Sequence, residues 1–371
     1  MTSAQASQAH RAACIRLAHV VEPAHERVGR IVSRAGEVNA IELLRESDPL
    51  FATRLAATNA DEAETRADRL GMRIIVRGDS EWPRQLDDLG AVRPYALWVQ
   101  GAAHVRLACV RSAAIVGARA ATPYGLAVAR EWSAELASDH VTIVSGAAFG
   151  IDAAAHRGAL AVEGMTIAVM ASGADVIYPR AHEQLIARIA DEGLVISESP
   201  LGEPARRQRF LTRNRVIAAL TQATVVVEAA LRSGTSATAN AATRLNRHVL
   251  VVPGPVTSMM SAGCHHLARE GGATLAGAPA DVLECLLPAD EALALSVKRG
   301  HEMRESVTVP ADALTAQQAR VRDLLPASGV ITLEELRVGS GLSIPQLLSS
   351  LGALSSAGYA QAESAGWVRR A

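Results

Sequence analysis

The chain has 371 residues, of which 49% are hydrophobic, 20% charged and 3% aromatic, and its formal net charge is −1. That length suggests two or three domains around a large core filled by Ala, Val, Leu and Ile. Near-neutrality excludes a globally basic nucleic-acid binder, so any such contact must come from a local patch.

The basic charge is nearly all arginine, with Lys298 the single lysine; guanidinium forks match phosphate bidentately and stack on planar groups. The same bias also follows from genomic base composition. The four cysteines, Cys14, Cys109, Cys264 and Cys285, form no CxxC pair. Buried free thiols in a reducing cytoplasm are expected, with no disulfide framework and no metal site. No apolar leader follows a basic start, and every stretch of about 18 residues carries charges or turn signals. Neither a signal peptide nor a membrane span is therefore expected.

In chain order, residues 1–70 read as a small helical domain, with helices over His10–Val20, His25–Ala35, Val38–Glu46 and Ala60–Leu70. From Met72 the pattern changes. Met72–Val76 is β-like, and Trp82–Gly90 and Pro94–Val99 lead into a domain spanning 71–288. There, short Val- and Ile-rich runs occur at Ser112–Val116, Val141–Ser145, Met165–Met170, Leu194–Ser197, Ala223–Val227 and His248–Val252. Helical patterns separate them at Tyr124–Ala137, Ile151–Val162, Ala181–Asp191, Arg213–Leu220 and Thr235–Leu245. Such alternation predicts an α/β, Rossmann-like doubly wound, mostly parallel sheet with helices on both faces. Asp290–Pro310 reads as a linker within 289–312. The tail, 313–371, predicts helices over Thr315–Leu325, Leu333–Val338 and Ser343–Ala357, a short strand at Val330–Thr332 and a wing over Tyr359–Arg369. That order is a winged helix.

In an open α/β sheet, ligands bind beyond the carboxyl ends of the strands, so the segments after each apolar run carry the candidates. Gly117 allows a tight turn, Arg119 stands in it, and Thr122 with Pro123 starts a helix. This is a phosphate site or an ordinary strand-to-helix turn. No G-x-G-x-x-G is present there, which argues against a dinucleotide cofactor, and no cofactor is expected. The loop from Ser145 through Gly146 to Gly150 is small and glycine-rich, which lets its amides face a ligand. Asp152 and His156 follow on one helix face, where a structural hydrogen bond is the favoured role over acid–base chemistry. The stretch 206–215 holds five arginines in ten residues and no acid. Arg206, Arg207, Arg209, Phe210, Arg213, Asn214 and Arg215 suit a phosphate track with base contacts. Glu228 precedes Ser233-Gly234-Thr235, which repeats the turn-plus-cap pattern. His265 and His266 are adjacent and do not share a helix face as a zinc pair does.

Taken in order, these segments resemble the DNA-processing protein A family (DprA, also called Smf). The resemblance rests on Gly117-Ala118-Arg119 through Tyr124-Gly125, Ser145 to Asp152 running on to His156-Arg157-Gly158-Ala159-Leu160, and Asp175 with Tyr178-Pro179. It continues through Ser197-Glu198-Ser199-Pro200, Arg213-Asn214-Arg215, Glu228 with Ser233-Gly234-Thr235 and Thr238-Ala239, and Pro253-Gly254. The sequence departs from the family at Ala118, Leu211 and Cys264-His265. The resemblance implies a non-enzymatic, homodimeric, cytoplasmic protein. It binds single-stranded DNA and loads the RecA recombinase during natural transformation, with single-strand-binding protein as a further partner. The N-terminal helices then correspond to a SAM or helix-hairpin-helix-like domain.

Two other readings compete. A Rossmann-like nucleoside-monophosphate phosphoribohydrolase would use Arg213 and Glu228, but its proline–glycine–glycine–x–glycine–threonine signature is absent. A transcription regulator would read DNA through the tail, but helix Ser343–Ser356 carries no Arg or Lys, a poor composition for a major groove.

Overall fold

The computed structural model describes residues 3–287, 314–326, 329–363 and 366–370. The Asp290–Pro310 stretch expected as a linker lies outside the described residues. The chain separates into two compact units, Met1–Leu287 and Pro288–Ala371.

The first unit opens with α1 (Ser3–Val20), α2 (Glu26–Ala35), α3 (Glu37–Ser47), α4 (Pro49–Ala56) and α5 (Ala60–Arg69). Side-chain caps start three of them: His25 before α2, Asp48 before α4 and Asn59 before α5. Sequence periodicity does not announce α4. It is eight residues long, and its signal is the Asp48 cap with Pro49 at the first helical position.

The sheet follows. Its strands are β1 (Met72–Val76), β2 (Ala96–Gln100), β3 (Ser112–Val116), β4 (Thr142–Ser145), β5 (Thr166–Val169), β6 (Leu194–Ser197), β7 (Ala223–Val226), β8 (His248–Val251) and β9 (Thr274–Leu275). The helices between and after them are α6 (Val105–Ala108), α7 (Pro123–Ser138), α8 (Ile151–Ala161), α9 (Glu183–Glu192), α10 (Arg207–Leu220), α11 (Thr235–Arg244), α12 (Ala262–Glu270) and α13 (Pro279–Leu286). The nine strands lie in the order β1-β2-β6-β5-β4-β3-β7-β8-β9. Strands β3 to β9 run parallel, while β1 and β2 add an antiparallel hairpin against β6. The chain thus winds outward from β3 to β6, crosses back to β7, and winds the other way. That reversal is the feature that opens a ligand crevice at the carboxyl ends of the strands.

Burial explains the strands. Every residue of β3, β4, β5, β6 and β7 is buried, as a parallel sheet covered on both faces requires. On the hairpin the two faces separate with period two. Ile75, Leu97 and Val99 enter one core, while Ile74, Val76, Ala96 and Trp98 enter the other. The second core also takes in Cys14, Ile15, Ala60 and Ala67 from the N-terminal helices.

The second unit contains α14 (Ala316–Leu324), α15 (Leu333–Ser340), α16 (Ile344–Ser356) and a hairpin of β10 (Ala360–Glu363) with β11 (Gly366–Arg369). Val321, Leu336, Leu347, Leu351 and Leu354 form its core. Ile331 pairs with Trp367 where the sequence suggests a short strand. Gly341 ends α15 at φ 67°, a left-handed cap that glycine adopts without strain.

Candidate nucleic-acid interface

The turn after β3 is fixed by one carboxylate. Glu228, 2% exposed, accepts from the Thr122 amide at 2.8 Å and the Thr122 hydroxyl at 2.5 Å. Thr122 in turn caps α7 by accepting from the Gly125 amide at 3.2 Å. The glycines here answer to packing. A Cβ on Gly125 would lie 2.4 Å from the Glu228 carboxylate, and one on Gly117 would lie 2.5 Å from Ile151. Both carboxylate oxygens of Glu228 are therefore committed to the turn, and Arg119 is left projecting from it, exposed.

The loop after β4 is held from inside. Asp152 is buried at the start of α8 and accepts from the amides of Gly146 at 3.1 Å and Ala148 at 3.4 Å. Arg213 reaches in from α10 and donates to the carbonyls of Gly146, at 2.9 Å, and Val169. A Cβ on Gly146 would sit 2.4 Å from that guanidinium. Burial pushes the Arg213 guanidinium down to about 10, offset in part by Asp152. Burial likewise raises the Asp152 carboxyl, against the pull of Arg213 and the loop amides.

Several sequence expectations change here. The Gly146 amide is not free for a phosphate, because Asp152 occupies it. Ser145 is fully buried and donates to the Ile115 carbonyl at 2.6 Å. Asp152 and His156 each have a structural hydrogen bond, but not to one another. His156 Nδ1 pairs with the Thr166 hydroxyl at 2.7 Å on β5, and burial pushes its imidazole down to about 3. Gly150, at φ 78°, closes the loop against the Ala118 and Arg119 carbonyls, 2.2 and 2.5 Å from a would-be Cβ.

The arginine run also resolves differently from a single exposed track. The helix begins at Arg207 rather than Arg213, so the arginines divide between its faces. Arg209, Arg213 and Arg215 are buried, at 6%, 5% and 8% exposure. Arg209 is gripped by Glu22 at 3.0 and 3.2 Å and by Glu203 at 2.6 Å. Arg215 forms a bidentate pair with Glu198 at 2.8 and 2.7 Å. A buried cation needs such partners, and these three have donors committed to protein acceptors rather than facing a surface phosphate. Asn214 donates to the Gly234 carbonyl at 3.2 Å, tying α10 to the loop after β7. In that loop Thr235 is buried, Gly234 is exposed, and the Ser233 hydroxyl is buried without a hydrogen-bond partner.

What remains outward forms a surface at the carboxyl end of the sheet. The Arg119 guanidinium lies 5.0 Å from the centroid of the Phe210 ring. Phe210 packs on Tyr178 at 5.3 Å, and Phe149 packs on His182 at 4.7 Å. His182 pairs with the Ala147 carbonyl at 3.0 Å and so anchors the loop that carries Phe149. Phe149 and Tyr178 are each 47% exposed. Arg206 just before α10 and Arg207 on its first turn lie next to Phe210 in the chain, and both are exposed. The sequence reading picked out Phe210 and missed Phe149 and Tyr178. Overall aromatic content, at 3%, says nothing about clustering. The available signal was position, since each ring lies a few residues beyond an apolar run.

Among the described residues, His10, Cys14 and Glu37 come together with metal-ligating side chains. Their atoms serve the protein: His10 pairs with the Arg77 carbonyl at 2.8 Å, and Arg93 donates to Glu37 at 2.8 Å. No helix among the described residues is long and apolar enough to cross a membrane.

A family model described as DNA recombination-mediator protein A matches residues 73–287. The chain belongs to this family. Over 368 residues it is 40% identical to a putative DNA processing protein DprA of Mycobacterium tuberculosis strain H37Rv, covering 95% of this chain and 92% of the relative. The Smf protein of Escherichia coli K12 is 42% identical over 194 residues, 52% of this chain and 51% of its own. Among solved structures, DprA from Streptococcus pneumoniae superposes with a TM-score of 0.63 at 29% identity, covering 73% of this chain and 95% of that one. DNA processing protein A from Helicobacter pylori, described for its single-stranded-DNA-binding mode, superposes with a TM-score of 0.52 at 28% identity, covering 58% and 95%. The mostly parallel α/β architecture expected from the sequence is thus that of the DprA proteins.

Proposed function

We propose that this DprA-family protein binds single-stranded DNA across the loops after β3, β4, β5 and β7 and the first turn of α10. The observation that carries this reading is the exposed Arg119 stacked on Phe210 beside Tyr178. A cation and two rings on one surface suit a strand whose bases are unpaired and whose phosphates are accessible. Arg119, Arg206 and Arg207 are the phosphate contacts. Phe149, Tyr178 and Phe210 are the base platform. Ser233 and Gly234 border the path. Glu228, Thr122, Asp152, Arg213 and Arg215 hold the loops in place. A duplex offers no free base faces and binds more weakly.

The reading extends to delivery of the RecA recombinase onto the bound strand, with single-strand-binding protein as a further partner, and to a cytoplasmic homodimer. The family's description as a recombination mediator supports the recombinase part of this reading. The domain division at 1–70, 71–288, 289–312 and 313–371 belongs to the same proposal. The three helices and hairpin of the second unit are read as a winged helix used for protein contact or regulation. The nucleotide-hydrolase reading finds little support, because Glu228 is buried with both oxygens bonded to Thr122 and is not poised for acid–base work. The test is a gel shift of single- and double-stranded oligonucleotides at several salt concentrations. We expect tight, salt-sensitive binding to the single strand and weaker binding to duplex. Equal affinity for the two would overturn the reading.

A further inference from the structure

Beside the ring platform, the first unit contains a cleft of about 350 Å³. Its walls are the end of α1, the end of α4 and the segment leading into α10. The floor is built rather than accidental. Arg209 lies there with its side chain 8% exposed, and it joins the two walls by pairing with Glu22 from one and Glu203 from the other. Both carboxylates are thereby occupied. Two further cations line the cleft. Arg206 is 57% exposed and only loosely drawn to Glu22 and Glu203, at 3.6 and 3.9 Å. Arg54, on α4, is exposed, and its guanidinium has no ion pair among the described residues. Three arginines against two carboxylates leave a surplus of positive charge at the mouth. The remaining wall is apolar, formed in part by Val21, Pro23 and Ala57.

The cleft and the platform meet at the start of α10. Arg206 is the residue just before α10, and the Phe210 amide donates to its carbonyl at 3.4 Å. A strand leaving the Phe210 ring along the first turn of α10 meets Arg206 next and then the cleft. The volume is at the small end of ligand sites, the scale of one nucleotide rather than of a protein segment.

We propose that this cleft is a further subsite for the same strand, taking one nucleotide with its phosphodiester between Arg206 and Arg54 and its base or sugar against the apolar wall. This rests on the single-strand reading above. It gives the N-terminal helices a direct part in binding, through Arg54.

The test uses the full chain and fluorescence anisotropy with oligothymidylates of graded length. Arg54→Glu and Arg54→Lys are the variants, with Arg119→Ala and Phe210→Ala as platform controls. For long oligomers Arg54→Glu should weaken binding about five- to twentyfold and reduce the salt slope by about 0.7, the value for one single-strand phosphate. The shortest oligomer that still binds should be held as tightly as by the parent. Arg54→Lys should behave like the parent throughout. The cleft is overturned if Arg54→Glu matches the parent at every length. It is equally overturned if the variant weakens all lengths by the same factor, since that is a long-range field and not a subsite. If the platform controls bind like the parent, the single-strand reading itself falls and the cleft falls with it. If they lose binding while Arg54→Glu does not, the cleft alone falls.

Discussion

Arg215 offers the sharpest test of which arginines are structural. Its guanidinium pairs bidentately with Glu198, and the two side chains are 10% and 7% exposed. Removing it by Arg215→Ala leaves Glu198 buried without a counter-charge. Breaking a buried pair from one side costs about 3–5 kcal/mol. With an unfolding entropy of about 2.1 cal/mol/K per residue, a unit the length of Met1–Leu287 shifts Tm by roughly 1.7 °C per kcal/mol. A loss of about 5–8 °C is therefore expected for the first unit. The double variant Arg215→Met with Glu198→Leu removes both charges and keeps apolar volume, so it should recover most of that loss. The assay is thermal unfolding by circular dichroism on the full chain, with single-strand affinity measured well below the transition. Arg215→Ala should bind DNA with nearly parental affinity while folded. A variant that melts within about 1 °C of the parent, less than a single kcal/mol predicts, yet loses tenfold or more in affinity would refute the reasoning. It would make Arg215 a phosphate contact.

Phe210→Ala should cost about 1–3 kcal/mol of single-strand affinity by removing a stacking face, with no large change in Tm; anisotropy and melting read the two separately. Arg119→Ala should weaken binding severalfold and make the salt dependence shallower by about one phosphate, and an unchanged salt slope would count against a phosphate contact. His156 carries a pH prediction. Its folded pKa, about 3, lies below the ordinary 6.5, so its contribution is present above about pH 6.5 and is lost as pH falls toward 3, by up to about 1.4 kcal/mol per pH unit. Denaturant midpoints at neutral and mildly acid pH should therefore fall less steeply for His156→Gln than for the parent. Ending the chain at Leu287 should retain most single-strand affinity, because the platform and its arginines all precede that point; a large loss with the first unit still folded would refute this.

Much of the fold was legible because period and punctuation agreed. The runs at Met72–Val76, Ser112–Val116 and Leu194–Ser197 are β1, β3 and β6 without adjustment. The others differ by one or two residues at their ends, where strands stop pairing but apolar composition continues. Strand direction was not legible. Nothing local in β1 and β2 distinguishes an antiparallel hairpin from further parallel strands. The site was legible as a set of loops but not as a division of labour. Arg206 and Arg209 look alike in sequence, yet one is exposed and one buried. What separates them is the start of α10, which turns Arg209 inward onto Glu22 and Glu203 at 3.0 and 2.6 Å and leaves Arg206 at 3.6 and 3.9 Å from them, and local charge density does not reveal it. Ser145 and Gly146 were singled out as backbone able to approach a ligand. Their small size instead serves Arg213 and the neighbouring strand.

The antiparallel hairpin sets a schedule for synthesis. Trp98 pairs with Ser197, so β2 cannot join the sheet until β6 has left the ribosome. At ~5–20 residues per second, the roughly 100 residues between them take about 5–20 s. Throughout that interval the hairpin of β1 and β2, with α1 and α5 packed beside it, has no β6 to pair with. The first residues made are thus among the last to be completed. A nascent chain arrested before β6 carries all five N-terminal helices and still lacks the strand on which their hairpin docks.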